Sequence, residues 1–136
     1  MDNCIFCKIL RGEIPGQRIY EDDHALGLLD IRPVTKGHAV VIPKIHVETS
    51  LELDDATTKE FYLGVKHAIE RVKEVLDPDG FNVGWNHLPA GGQAIAHLHV
   101  HIIPRWNGDG GGNMHSIVHK ESDLSVEEVA KLFSKD

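Results

Sequence analysis

The segment of this chain best equipped for chemistry is His97-Leu98-His99-Val100-His101-Ile102-Ile103. On a strand, successive side chains face opposite sides. His97, His99 and His101 therefore share one face, and Leu98, Val100 and Ile102 share the other. At about 3.3 Å per residue the three imidazoles span about 13 Å. Imidazoles so placed fit two kinds of chemistry. They can chelate a metal, or they can act as nucleophile and acid–base groups against an anionic substrate. Cys4-x-x-Cys7 has the spacing of half a tetrahedral zinc site, and it also fits a redox dithiol or two structural thiols. Ahead of the histidines lie Trp85-Asn86 and Ala90-Gly91-Gly92-Gln93. Glycines there let backbone N–H groups approach phosphate oxygens, although a plain turn between strands uses the same residues. Asp30 closes an apolar strand, where a carboxylate can take a pair of sugar hydroxyls or simply start a turn before Pro33.

The elements that must hold these groups follow from pattern. Residues 4–10 read as a short helical turn. Strands are expected at 18–20, 25–30 and 38–42, the last stopped by Pro43. A long helix is expected from Asp55 to Leu76, because Phe61, Val65, Ala68, Ile69, Val72 and Leu76 fall on one helical face. Asp54 or Thr57 can cap it, and Thr57 with Glu60 has the form of a capping box. Asp77-Pro78-Asp79-Gly80 ends it. Residues 81–85 and 96–103 read as strands, the second ended by Pro104. The glycine-rich stretch 108–113 reads as a mobile surface loop. Ser125 with Glu128 caps a last helix, Val126 to Phe133. Strands around one long helix predict an α+β domain with a mostly antiparallel sheet.

Length and charge narrow the class. The chain has 136 residues, 41% of them hydrophobic and 26% charged, which is ordinary for a globular domain. A single domain over 1–136 is expected. Fourteen Lys and Arg against 21 Asp and Glu give a net charge of −7, which argues against general nucleic-acid binding. Two cysteines are too few for a disulfide scaffold. The N-terminal sequence lacks the apolar core of a signal peptide, and no apolar run is long enough to span a membrane. A cytoplasmic protein is the expectation.

Several motifs together resemble the histidine triad family of nucleotide-binding and nucleotide-hydrolysing proteins. They are Cys4-Ile5-Phe6-Cys7-Lys8-Ile9, Ile14-Pro15, Asp30-Ile31-x-Pro33-x-x-x-Gly37-His38 and Val41-Ile42-Pro43-Lys44-x-His46. Asn86-x-x-x-x-Gly91-Gly92-Gln93 and His97-x-His99-x-His101-Ile102-Ile103-Pro104 complete the set, in family order over residues 4 to about 104. Residues 106–136 form an extension beyond the motifs. The resemblance implies that His99 attacks an α-phosphorus and becomes nucleotidylated. It implies that His101 hydrogen-bonds the phosphate and assists proton transfer to the leaving group. Asn86, Gln93 and the backbone near Gly92 would hold phosphate oxygens, and Asp30 would take the ribose hydroxyls. Ile5, Phe6 and Ile31 would line a purine pocket. By the same resemblance Cys4, Cys7, His46 and His97 form a structural zinc site, and the protein is a homodimer acting on AMP or an AMP derivative. Two features depart from the family pattern. Ala94 stands where many members carry Ser or Thr, and the stretch after Pro104 lacks a tryptophan–proline ending. Two further readings are a purine-nucleotide-binding signalling module with little turnover, and a metallohydrolase using His97-x-His99 as ligands.

Overall fold

A computed structural model describes residues 3–134. In chain order it contains α1 (Ile5–Leu10), β1 (Arg18–Glu21), β2 (Ala25–Leu29), β3 (Ala39–Pro43), α2 (Asp55–Leu76), β4 (Gly80–Gly84), β5 (Val100–Arg105) and α3 (Val126–Phe133). Short 3-10 turns lie at Ser50–Glu52, Pro89–Gly91 and Met114–Ser116. The five strands form one antiparallel sheet in the order β1-β2-β3-β5-β4. This is the expected α+β architecture.

The sheet has two working faces. Ala25, Ala39, Val41, Val100 and Ile102 point to α2 and pack with Phe61, Val65 and Ala68. The alternate residues Leu26, Leu28, Val40 and Ile42 point to α1 and pack with Phe6 and Ile9. The period of two in the strands and the helical stripe of α2 therefore meet as predicted, and Leu98 joins the α2 side. Gly64 brings α2 against β2: a Cβ there would stand 2.7 Å from that of Ala25. Asp54 is the N-cap of α2, its Oδ1 accepting from the Thr57 N–H at 2.7 Å. Thr57 thus lies inside the first turn, and the Thr57–Glu60 capping box does not form there. Asp77 ends α2 in the left-handed region at φ 46°, ahead of Pro78. The Ser125–Glu128 capping box of α3 forms as expected.

The histidine strand is shifted from its expected bounds of 96–103. Its ladder with β3 stops at Val41 opposite Val100. Pro43 has no N–H to continue it, and the Leu98 N–H turns instead to Val47 O at 2.8 Å. At the other end the strand runs through Pro104 to Arg105, paired with β4 alone. With β3 no longer alongside, one flank is left where the missing N–H interrupts no rung. The stretch 108–113 is a surface loop, and the side chain of Arg105 anchors it. Among the described residues no helix is long and apolar enough to cross a membrane.

Candidate functional site

Two clusters of titratable side chains flank the entry to β5. The first is Cys4, Cys7, His46 and His97, whose ligand atoms all lie within 4.8 Å of one another. Cys4 is the N-cap of α1 and Cys7 lies one turn on, so the helix brings both thiols to one end. His46 follows β3 and His97 precedes β5. Cys7 Sγ is 3.3 Å from His46 Nδ1 and 3.6 Å from His97 Nδ1; Cys4 Sγ is 3.4 Å from His97 Nδ1. The two Nδ1 atoms are 3.2 Å apart. A tetrahedral zinc with ordinary bond lengths needs S–N edges of about 3.6 Å and an N–N edge of about 3.4 Å, so the spacing fits.

The donor chemistry fits too. His97 Nε2–H donates to Pro43 O at 3.1 Å, which leaves Nδ1 as a bare lone pair aimed at its three neighbours. Burial pushes the His97 imidazole down to about 4, so it stays neutral and able to ligate. Burial and the neighbouring Cys4 push the Cys7 thiol up, and a bound cation would reverse that. These four residues form a group able to hold a metal ion.

The second cluster is Asp30, His38 and His101, and its logic is different. His38 Nδ1 accepts from the Val34 N–H at 3.1 Å, so its proton is on Nε2. That N–H faces His101 Nδ1 at 2.9 Å, with Asp30 Oδ2 at 3.4 Å. His101 Nδ1 is therefore an acceptor and its remaining proton is on Nε2. For a metal to use His38 Nε2, that ring would need lone pairs on both nitrogens. The donor–acceptor order makes this cluster a hydrogen-bonded chain rather than a ligand set. Burial pushes His101 down to about 4, aided by His99 and His38 and opposed by Asp30. Burial also lowers His38, against the pull of Asp30.

His99 stands between the clusters and belongs to neither. Its Nδ1–H donates to His97 O at 2.8 Å, which leaves Nε2 with the lone pair. Its ring packs on Phe6 at 5.2 Å and on His101 at 5.1 Å between centroids. A buried imidazole oriented through Nδ1, with Nε2 left free of protein partners, is a nucleophile in form.

The remaining expected site residues divide. Asn86 lines one cavity with His38 and His101. Its Nδ2 reaches Gly92 O at 3.4 Å, closing the loop of which Gly92 is the left-handed residue at φ 92°. Asp30 Oδ1 accepts from the Arg32 N–H while Oδ2 faces the histidine chain, so it is a turn residue and a site residue together. Both amide hydrogens of Gln93 are engaged, by Glu48 O and Ile95 O, and its Oε1 accepts from the Leu88 N–H. Gln93 braces the loop. Phe6 is buried against His97 and His99, Ile5 is partly exposed, and Ile31 is 86% exposed.

Comparison with known proteins bears on the same residues. The HIT domain family matches residues 11–108. The chain belongs to the HIT family. It is 42% identical over 127 residues to Protein hit of Bacillus subtilis, covering 90% of this chain and 88% of that protein. It is 38% identical over 105 residues to the adenosine 5′-monophosphoramidase hnt1 of Schizosaccharomyces pombe, covering 77% of this chain and 76% of that one. A crystal structure of a HIT family member from Bacillus subtilis superposes with a TM-score of 0.84 at 40% identity, covering 97% of this chain and 93% of that one.

Within this HIT chain, the part of the site left without a role by sequence reasoning is His38. It stands two residues before Val40, which is the register partner of His101. On a strand that spacing puts His38 on the His101 face, and the parity was available in the sequence once the β3–β5 pairing was known.

Proposed function

We propose that this HIT protein hydrolyses or transfers the nucleoside monophosphate of an AMP derivative through a nucleotidyl-His99 intermediate. The observation that carries the reading is the His99 tautomer: Nδ1–H is spent on His97 O, so Nε2 presents a lone pair without deprotonation. A relative named as an adenosine 5′-monophosphoramidase supports nucleotide hydrolysis at the general level. In the first step His99 Nε2 forms a bond to the α-phosphorus. The bond to the leaving group breaks with its electron pair going to the leaving atom, and an amine nitrogen takes up a proton as it departs, His101 assisting the transfer from solvent. His101 Nε2–H, fixed by the chain from Val34 through His38, donates to a phosphate oxygen and offsets the charge that develops there. Asn86 and the backbone at Gly92 hold further oxygens, and Gln93 keeps that loop in shape. Asp30 takes the ribose hydroxyls through the lone pairs its turn leaves free, with Ile5, Phe6 and Ile31 toward the purine. In the second step water attacks phosphorus, the N–P electron pair returns to His99, and AMP and a proton leave. Dividing one displacement into two lowers the barrier of each.

Zinc is the ion proposed for Cys4, Cys7, His46 and His97, since two thiolates and two imidazoles are its preferred structural set. Four protein ligands close the site, so the ion would supply cross-linking of α1 to β3 and β5. A cytoplasmic homodimer is proposed as the working form, in keeping with the apolar side chains Leu63, Val75, Val126 and Phe133 left on the surface.

Rapid-quench measurement with an AMP phosphoramidate tests the reading. A burst of leaving group equal to the active sites, with an acid-labile nucleotide on the protein, is expected. His99→Ala should abolish both while AMP still binds. Turnover by His99→Ala near the wild-type rate refutes the assignment.

A further inference from the structure

The sheet face covered by α2, opposite the imidazoles of β5, carries a cavity of its own, of about 400 Å³. It shares no lining residue with the cavity beside His38 and His101. One wall is the last part of α2, through Val72, Val75 and Leu76. The other is the start of β1 and the end of β2, through Ile19 and Leu29. A register shift between Arg18 and Tyr20 distorts β1 here, and Ile19 packs toward the α2 side of the core. Gly37 closes one end. Its φ of 82° is one that other residues avoid, and a Cβ there would stand 2.2 Å from Leu76 Cδ1. The loop ahead of β3 therefore rests directly on the end of the helix. Val72 is the buried floor, whereas Leu29 and Val75 are left 40% and 60% exposed.

The charge of this groove is one-sided. Arg18, Lys36 and Arg71 line it, and no Asp or Glu does among the described residues, in a chain of net charge −7. Arg18 is spent: Nη1 donates to Glu21 at 2.8 Å and Nη2 to Ile9 O at 3.0 Å. Arg71 gives Nη1 alone, to Glu74 at 3.2 Å, in an exposed pair that competes weakly with another anion. Lys36 Nζ lies over the Trp106 ring, 4.9 Å from its centroid, and pairs with no carboxylate among the described residues. Two cations thus keep donors for a further anion.

The make-up of the groove narrows its occupant. Its size and aliphatic lining are those of a small-molecule site. The lining side chains hold no aromatic ring to stack on a base and no hydrogen-bond acceptor. A cation would meet like charge, and an uncharged polar ligand would find donors only. The nine lining residues are few beside the about 20–30 a side of a stable protein interface. We propose that this groove binds an amphipathic carboxylate, a medium-length alkyl acid. The alkyl chain lies along Leu29, Val72 and Val75, and the head group meets Lys36 and Arg71. The site is independent of the chemistry at His99.

Calorimetric titration of the full chain at neutral pH with hexanoate, octanoate and decanoate tests the proposal. Burying one methylene is worth about fourfold in affinity, so in an open groove each step of two should gain about fivefold or more. Decanoate should saturate at one per chain, and excess AMP should not displace it. Val75→Glu sets a carboxylate beside the alkyl chain and should weaken decanoate by about tenfold or more. Lys36→Ala combined with Arg71→Ala should weaken decanoate by about fivefold or more and leave the uncharged decanamide within about twofold. All three positions are exposed, so the fold does not depend on them. Sedimentation equilibrium of Val75→Glu beside wild type reads the rival occupant, a second copy of the chain. A lower mass for the variant shows that a second copy covers the groove, and overturns the proposal. Absence of saturable binding, no gain along the acid series, displacement by AMP, or equal loss of decanoate and decanamide in the double variant overturns it as well.

Discussion

Acidification should destabilise this protein through His101, and the size of the effect follows from its surroundings. The ring is partly buried beneath the sheet face. Its Nδ1 already accepts the proton of His38 Nε2 at 2.9 Å, so protonation there must break that bond and place a cation beside a second imidazole. His101 is accordingly pushed from an ordinary 6.5 to about 4. The unfolded chain therefore takes up this proton first as pH falls. The stabilisation is complete above pH 6.5 and is lost as pH drops from there to about 4. At about 1.4 kcal/mol per tenfold change in protonation, the interval is worth about 3 kcal/mol. The assay is urea unfolding followed by tryptophan fluorescence from pH 7.5 to 4.5, on wild type and on His101→Gln. Any acid release of metal affects both proteins, so the difference between the two curves isolates His101. Wild type should lose about 2–3 kcal/mol more than the variant over that range. Curves that stay parallel to within about 0.5 kcal/mol would refute the hydrogen-bonded chain as the cause.

Three further outcomes are expected. Protein prepared without chelator should carry about one zinc per chain by elemental analysis, and Cys7→Ser should lower both metal content and Tm, since a closed four-ligand site contributes to folding; ligands found instead at His99 and His101 would overturn the assignment. Asp30→Ala should weaken AMP binding by about tenfold and shrink the AMP/dAMP affinity ratio, because each charge-assisted hydrogen bond is worth about 1.5–3 kcal/mol; a ratio unchanged in paired titrations leaves Asp30 a turn residue and a partner of the histidine chain. Phe61→Ala should cost about 3–5 kcal/mol in chemical unfolding, because Phe61 is fully buried between α2 and the sheet; a loss under about 1 kcal/mol would show that the core there closes around the gap.

What the sequence made legible was whatever rests on local periodicity. The bounds of α2 could be read from Phe61 to Leu76 because a helix repeats its buried stripe over many turns, and Asp77-Pro78 marks its end. The same holds for α3, whose Ser125–Glu128 box is a local signal. Contacts set by pairing were not legible in this way. Where β5 begins depends on Pro43, a residue of another strand that lacks the N–H to continue the ladder. The role of His38 depends on a register that puts it opposite the His101 region, and nothing within several residues of it signals that. Gln93 has the side chain of a phosphate ligand, yet three backbone groups occupy its amide, two from its own loop and one, Glu48 O, from 45 positions away. The Arg105–Asp109 clamp is only four residues long in sequence, and its partner Asn82 comes from the neighbouring strand. The family motifs mark candidate residues and leave unstated which of their atoms are already spent.

The placement of Cys4 beside His97 also bears on how the chain assembles. The two are 93 positions apart, and only the intervening chain and the fold bring them together. A shared ion at that point would act as a clasp around most of the polypeptide. Closing a loop of that size is worth about 4–5 kcal/mol of unfolded-state entropy. During synthesis both thiols emerge long before His97, so the clasp can shut only after β5 has docked. With the ion bound, the first turn of α1 would be fastened last, although it is made first. Ile5 and Phe6 sit on that turn. Amide exchange across Ile5–Leu10 would therefore report the loading of the clasp, slow when shut and fast when open, and the proposed nucleoside end of the site would be the part of the molecule that matures latest.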